Sequence, residues 1–281
     1  MGETINGKAI AQQMRDELKI RVERIKMNRG IIPKLVAVLV GEDPASQIYV
    51  RNKERAAAEI GMIGEVVRFT ASASEKDVLA VIKGLNADSS VHGFIVQLPM
   101  PKGMDEKKIL KAISPQKDVD GMGIENLGRL LKGESPYFLS CTPSGIMRLI
   151  LSTGFDIQGK EAVVVGRSNI VGKPVALMLL EKNATVTVCH SRTTDLASVV
   201  RRGDVVVAAV GKAGLIKGDW IKPGAVVIDV GMNRIDGKLY GDVDYAGAKE
   251  RASYITPVPG GVGPITIAML LQNTVIAAER A

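Results

Sequence analysis

KEAVVVGRSNIVGKPVALMLLEKNATVTVCHSRT, Lys160 to Thr193, is the stretch from which the fold of this chain can be read. Ala162 to Val165 form a short apolar run rich in valine, the composition of a strand covered on both faces. Gly166 begins a tight turn, and Pro174 falls in the first turn of a following helix, where a missing N–H costs nothing. Thr185 to Val188 then return to strand. Strand, loop, helix and strand in this order make the repeating unit of a parallel sheet, so this half of the chain is expected to be doubly wound. The turn approaches a dinucleotide-binding fingerprint without matching it: G-x-G-x-x-G is replaced by Gly166-x-Ser168 and then Gly172, one residue longer. Glycine lets the backbone approach a pyrophosphate, and free N–H groups with the helix dipole favour its charge. Gly166, Arg167 and Ser168 are therefore candidate cofactor contacts, set against the plainer reading of an ordinary glycine turn.

The next strand narrows the choice of cofactor. It ends in Cys189, His190, Ser191 and Arg192, about where NAD-binding sheets place an acid against the ribose hydroxyls, and no acid is present. Ser191 can donate to a 2′-phosphate and Arg192 can pair with it, so NADP is the expected cofactor; the alternative is a simple polar turn. DVVVAAVG, ending at Gly211, and AVVIDVGMN, from Ala225, add two further strands, and Met232 follows the second of them.

Upstream, the chain again alternates strands and helices. An amphipathic helix runs from Lys8, a strand covers Leu35 to Val40, GEVVRFT is a second strand ending at Thr70, a helix opens at Ser74, and Val91 to Pro101 contain a third strand. KDVDGMGIENLGRLL, from Lys117, breaks the rhythm and reads as a loop leading into a connecting segment, and CTPSGIMRLIL opens a new helix at Cys141. The domain boundary is placed there. Residues 1–140 are expected to form an N-terminal α/β domain, completed by a C-terminal helix over 264–281, and residues 141–263 a Rossmann-like one.

Between the first two strands lies SQIYVRNKERAAAEI, Ser46 to Ile60, preceded by the helix-start pair Asp43-Pro44. At helical spacing Ser46, Tyr49, Lys53, Ala56, Ala57 and Ile60 share one face, so Lys53 interrupts a stripe that is otherwise suited to burial. Either the lysine lays its methylenes on apolar surface with its ammonium in water, or the face looks onto a site. The last stretch, YITPVPGGVGPITIAMLLQNTVIAAER, has a stiff loop with few side chains at Pro257, Pro259, Gly260, Gly261 and Gly263 before an apolar helix starting near Ile265. Such a loop either offers its backbone to a flat or charged ligand or simply connects two domains.

Composition sets limits on function. With 281 residues, 46% of them hydrophobic, the chain can bury a sizeable core and is expected to make two domains. No apolar run reaches roughly 18 residues, and the N-terminus lacks an apolar signal core, so no membrane association and a cytoplasmic location are expected. Cys141 and Cys189 lack metal-ligand spacing, and His92 and His190 are far apart, so no metal site is expected. A net charge of +7 and a pI near 9.3 raise the question of nucleic acid. Lys and Arg are scattered among acids, however, and only 4% of residues are aromatic, so the charge suits anionic small molecules instead.

YVRNK, VQLP, KDVDG, CTP, VVGRSNIVGKP, CHSRT, DVGMN and TPVPGGVGP, in this order, resemble the bifunctional methylenetetrahydrofolate dehydrogenase and methenyltetrahydrofolate cyclohydrolase family over nearly the whole chain. The departures are minor: Met232 where the family often has isoleucine, and Gly123-Ile124-Glu125 in a variable stretch. The resemblance implies a two-domain α/β protein, with a folate-side N-terminal domain, a doubly wound NADP domain and a cleft between them, and a homodimer assembled through the second domain. It implies oxidation of 5,10-methylenetetrahydrofolate to the methenyl cation with NADP, then hydration to 10-formyltetrahydrofolate. Hydride transfer needs alignment of cofactor and folate, whereas hydration needs proton traffic that one amine can carry.

By the same resemblance Lys53 is the catalytic lysine, facing folate rather than a closed core. Gln97 would hydrogen-bond Lys53, and Ser46 would help from the preceding turn. Tyr49 would stack on the folate ring system, and Asp120 would accept hydrogen bonds from pterin N–H groups, its plainer role being to form a turn beside glycine. Val96, Leu98 and Pro99, with the loop of Pro259, Gly260, Gly261, Val262 and Gly263, would wall the folate site. Gly166, Arg167, Ser168, Ser191, Arg192 and Met232 would hold NADP.

Overall fold

KLVAVLV, Lys34–Val40, carries the longest buried run of any strand in the N-terminal half: all but its first residue are covered. A run of this kind, apolar on both faces, belongs at the centre of a parallel sheet. The structure, a computed structural model, describes residues 1–281. In chain order it contains β1 (Glu3–Thr4), α1 (Gly7–Arg29), β2 (Lys34–Val40), α2 (Pro44–Glu59), β3 (Ile63–Phe69), α3 (Glu75–Ala87), β4 (Gly93–Val96), α4 (Glu106–Lys111), α5 (Ile124–Leu131) and α6 (Cys141–Ser152). The second half continues with β5 (Glu161–Val165), α7 (Gly172–Glu181), β6 (Thr185–Cys189), α8 (Leu196–Val200), β7 (Val205–Ala208), β8 (Val226–Asp229), β9 (Asn233–Ile235), β10 (Lys238–Tyr240), α9 (Tyr245–Arg251), β11 (Tyr254–Ile255) and α10 (Val262–Arg280).

These elements form two compact units, each assembled from three stretches of chain. The first comprises Gln12–Arg129, Glu134–Cys141 and Ile267–Ala281. Its sheet has the order β3-β2-β4, and both pairings are parallel, with Val38 opposite Val67 and Val96. Asp43 caps α2 by accepting the Ser46 N–H at 2.7 Å, and Ser74 and Asp77 close a reciprocal capping box on α3. Val36, Val38, Val78, Ile82, Phe94 and Ile109 are among the side chains of the core on one face.

The second unit comprises Met1–Ala11, Leu130–Gly133 and Thr142–Thr266. Its six-stranded sheet has the order β1-β11-β8-β7-β5-β6, parallel throughout, and β9 and β10 form a separate antiparallel hairpin. From β5 the chain steps outward to β6 and then returns to the other side of β5 for β7. The order therefore reverses between β5 and β7, and in open α/β sheets ligands bind beyond the carboxyl ends of the strands at that point.

Three features differ from the sequence reading. The first eleven residues, placed there in the N-terminal domain, belong to the second unit through β1, which pairs with β11. The segment read as a loop after KDVDG contains α5, an eight-residue helix that runs through Gly128 to Leu131. Val262 and Gly263, assigned to the glycine loop, are the first turn of α10. That helix is also long and apolar enough to cross a membrane, although 61% of the stretch is buried within the protein, as for a core helix.

Candidate active site

The face of α2 that carries Lys53 is turned toward the carboxyl end of β4. There the Gln97 N–H donates to the Val38 carbonyl at 2.9 Å, extending the sheet by one rung and fixing the Gln97 backbone. Lys53 Nζ donates to Gln97 Oε1 at 3.0 Å, and Gln97 Nε2 donates to the Leu98 carbonyl at 2.8 Å. With its amide donor committed to Leu98, the glutamine can offer Lys53 only its oxygen, which an ammonium requires. Ser46, 3% exposed, donates its hydroxyl to the same Leu98 carbonyl at 3.4 Å, so it supports the lysine through Leu98 and Gln97 rather than by the direct contact anticipated. Lys53 is half-buried, and Tyr49, one turn earlier, is 38% exposed. Val96 is buried in the core, Leu98 packs against that core, and Pro99 is exposed.

KDVDG runs beside β4, with the Phe94 N–H donating to the Lys117 carbonyl at 3.0 Å and a parallel bridge from Phe94 to Asp118. Asp120 is half-buried at the end of this run, and its carbonyl accepts the Cys141 N–H at 3.1 Å. Its neighbours are held from a distant element: Asn273 of α10 donates to the carbonyls of Val119 at 2.8 Å and Leu139 at 3.0 Å. Ser140 Oγ donates to the Gly121 carbonyl at 2.6 Å. Burial pushes the Cys141 thiol well up, the negative charge of Asp120 adds to that rise, and the positive charge of Lys53 opposes it. Asn273 and Ser140 were not identified from sequence, because a polar residue that clamps backbone over such separations leaves no local pattern.

Asp118 turns inward. Its Oδ2 accepts from the Gly123 N–H at 2.7 Å and Asn126 Nδ2 at 2.9 Å, and burial raises its carboxyl from 3.8 to about 6 despite those bonds. A carboxyl raised by folding holds a proton that the unfolded chain has already lost, so its contribution to stability is largest near pH 4 and falls as the pH rises through about 6. Asp118→Asn keeps an oxygen for both donors and removes the ionisation. In urea unfolding from pH 4 to 8, the variant is expected to gain on the parent as the pH rises, by up to about 3 kcal/mol. A difference between them that does not change with pH would contradict this assignment.

In the second unit, Gly166 follows β5 with φ +131°, and a Cβ there would lie 2.2 Å from the Ala209 carbonyl oxygen. A Cβ on Gly172 would lie 2.1 Å from the Gly166 carbonyl oxygen, so the turn closes only without side chains. Ser168 Oγ accepts the N–H groups of Val171 at 3.1 Å and Gly172 at 3.3 Å, tying the turn to the start of α7. Arg167 and Ser168 are exposed, as are Ser191 and Arg192 just beyond β6. There the Arg192 N–H donates to His190 Nδ1 at 3.1 Å. Met232 is 49% exposed after β8. The structure thus brings Gly166, Arg167, Ser168, Ser191 and Arg192 to the ends of β5 and β6. Pro259, Gly260 and Gly261 lie in this same unit, where the Gly260 carbonyl accepts the Lys8 N–H at 3.1 Å; Lys53, Gln97 and Asp120 lie in the other.

Comparison with known proteins adds to this geometry. Residues 5–120 match the family model described as "Tetrahydrofolate dehydrogenase/cyclohydrolase, catalytic domain", and residues 140–281 match the model of its NAD(P)-binding domain. The chain is 60% identical to the bifunctional protein FolD of Magnetococcus marinus over 282 residues, covering 100% of this chain and 99% of that protein. It is 57% identical to the FolD protein of Moorella thermoacetica, over 98% of each. Among solved structures, the FolD dehydrogenase/cyclohydrolase of Campylobacter jejuni is similar with a TM-score of 0.97 and 45% identity, covering 100% of this chain and 99% of that one. The Trypanosoma brucei enzyme, described as complexed with NADP cofactor and inhibitor, is similar with a TM-score of 0.95 and 40% identity over 99% and 98% of the two chains.

Proposed function

From the premise that the chain belongs to the tetrahydrofolate dehydrogenase/cyclohydrolase family, we infer that Lys53, held by Gln97, carries the proton of its hydration step. The protein is an NADP-dependent methylenetetrahydrofolate dehydrogenase and a methenyltetrahydrofolate cyclohydrolase. The Gly166 turn, with Ser191 and Arg192 beyond β6, would hold NADP, which would supply the hydride acceptor for oxidation of the folate's bridging methylene carbon to the methenyl cation. Water then adds to that carbon and loses a proton, N5 gains one, and the bond from the carbon to N5 breaks to give the 10-formyl product.

The observation that carries the reading is the 3.0 Å hydrogen bond from Lys53 to Gln97. The Lys53 nitrogen is fixed by an uncharged amide oxygen rather than by a carboxylate. In this reading the neutral amine of Lys53 takes the proton from attacking water and, as the ammonium so formed, returns it to the ring nitrogen, while Gln97 keeps the nitrogen aimed between the two. Tyr49 offers its half-exposed ring to the flat folate, and Asp120 accepts the N–H groups of the pterin. Leu98 and Pro99 border the site, with Val96 behind them in the core.

For the cofactor, the turn that is bare at Gly166 and Gly172 would suit a pyrophosphate, with Arg167, Ser168 and Met232 as further contacts. Ser191 and Arg192 are assigned to the 2′-phosphate. Arg192→Ala is expected to weaken NADP binding by about 1–2 kcal/mol, the low end of a charge-assisted bond because the side chain is exposed, and to leave NAD binding unchanged. Calorimetric titration with both cofactors distinguishes the outcomes, and equal losses for the two would remove Arg192 from the 2′-phosphate. We also propose a cytoplasmic homodimer with neither nucleic-acid nor membrane partners; the buried free thiols of Cys141 and Cys189 support a reducing compartment. Mixing protein, 5,10-methylenetetrahydrofolate and NADP and following NADPH and methenyltetrahydrofolate absorbance tests both activities together. Reduction of NADP without consumption of added methenyltetrahydrofolate would refute the second.

A further inference from the structure

Two carboxylates lie buried beside the switch point, at the ends of β7 and β8, with no cation against them. Asp242 is 0% and Asp229 3% exposed. Asp242 Oδ2 accepts the N–H groups of Val210 at 2.7 Å and Gly211 at 2.9 Å, and Oδ1 accepts the Lys212 N–H at 2.8 Å and Asn233 Nδ2 at 2.9 Å. Asp229 accepts the N–H groups of Gly231 at 2.9 Å, Asp242 at 2.8 Å and Val243 at 3.0 Å. A buried carboxylate is costly unless its lone pairs are filled, and here backbone N–H groups and one amide fill them. Three consecutive N–H groups converge on Asp242, and Gly211, at φ +68°, supplies the left-handed residue that turns them to one side. The geometry is that of an anion-binding nest, filled by the protein's own side chain.

The nest follows directly on Ala209, the residue whose carbonyl oxygen lies against Gly166. The backbone of 209–212 is thus one wall of the crevice between β5 and β7, and the Gly166 turn is the other. We propose that Asp242 is a positioning residue for NADP: by holding the Val210–Lys212 backbone it sets the shape of the switch-point crevice, although its own side chain faces away from any ligand. The proposal rests on the placement of NADP at that crevice. It explains why the residue is an aspartate, since two oxygens are needed for four donors and asparagine has only one.

The test is Asp242→Asn, whose amide nitrogen would face N–H groups that need an acceptor. The variant is expected to bind NADP at least tenfold more weakly by calorimetry and to raise KM for NADP by a similar factor. Its kcat at saturating NADP and its hydration of added methenyltetrahydrofolate are expected to stay within about twofold of the parent, a separation that general loosening of the fold would not produce. Unchanged NADP affinity in the folded variant overturns the proposal, as does an equal fall in kcat and hydration rate. If Asp242→Asn does not fold, Asn233→Asp serves instead: it replaces a donor to Asp242 with a second carboxylate and is expected to raise KM for NADP severalfold, an unchanged KM overturning the proposal. Failure of the underlying cofactor placement would be seen separately, because NADP affinity would then also survive Gly166→Ala.

Discussion

Lys53→Met is expected to lower cyclohydrolase activity by roughly 10²–10⁴-fold, the range for removing a positioned proton carrier, while part of the dehydrogenase activity remains. Methionine keeps the length and apolar stem of the side chain, so the packing of α2 is little disturbed and the loss reports the amine. Hydride transfer depends mainly on holding the two reacting rings in register, to which the lysine contributes only orientation. The coupled assay would therefore show methenyltetrahydrofolate accumulating where the parent protein passes it on. If the variant hydrates the cation at the parental rate, Lys53 is a lysine snorkelling at the edge of an apolar stripe, and the carrier lies elsewhere.

A comparable effect is expected at the cofactor turn. Gly166→Ala puts a methyl group where the Ala209 carbonyl oxygen already stands 2.2 Å away, and it does so at φ +131°, a conformation that side-chain-bearing residues rarely adopt. Both partners are backbone, so relief requires the turn to move off β7. Backbone strain alone is about 1–3 kcal/mol, and moving the turn opens the crevice besides. NADP affinity is expected to fall at least 100-fold and dehydrogenase activity with it, while added methenyltetrahydrofolate is still hydrated. Retention of NADP affinity within tenfold would mean that the cofactor does not rest on this turn.

Local chemistry made part of this fold legible. Asp43-Pro44 and Ser74 mark the starts of α2 and α3 because capping acts within one turn, and β2, β5, β7 and β8 stand out as apolar runs because a strand covered on both faces cannot be anything else. β1 and β11 carry no such mark, since two residues have no period. The hairpin of β9 and β10 did carry one: Asp236 and Gly237, with φ +48° and +78°, are the turn pair that joins two strands directly, but the exposed strands on either side are too short to draw attention to it.

The site divides in the same way. Residues alone left Lys53 between two readings, because helical spacing shows which face it shares and not what that face meets. Only the family resemblance directed it to folate. Asn273 and Asp242 lay beyond either route, for their partners are carbonyls and N–H groups, which every residue possesses and no sequence distinguishes.

The path of the chain through the two units also bears on how the protein is made. The first unit needs Ile267–Ala281, and the second needs Met1–Ala11. During synthesis the sheet of β2, β3 and β4 emerges early but lacks the distal part of α10, including Asn273, until the segment from Ile267 onward has left the ribosome. The β1 strand must likewise wait for β11, some 250 residues behind it. The second unit has all its residues once Thr266 is made, and the first is completed only afterwards, so expressing either one alone would need its distant segment rejoined by a designed linker.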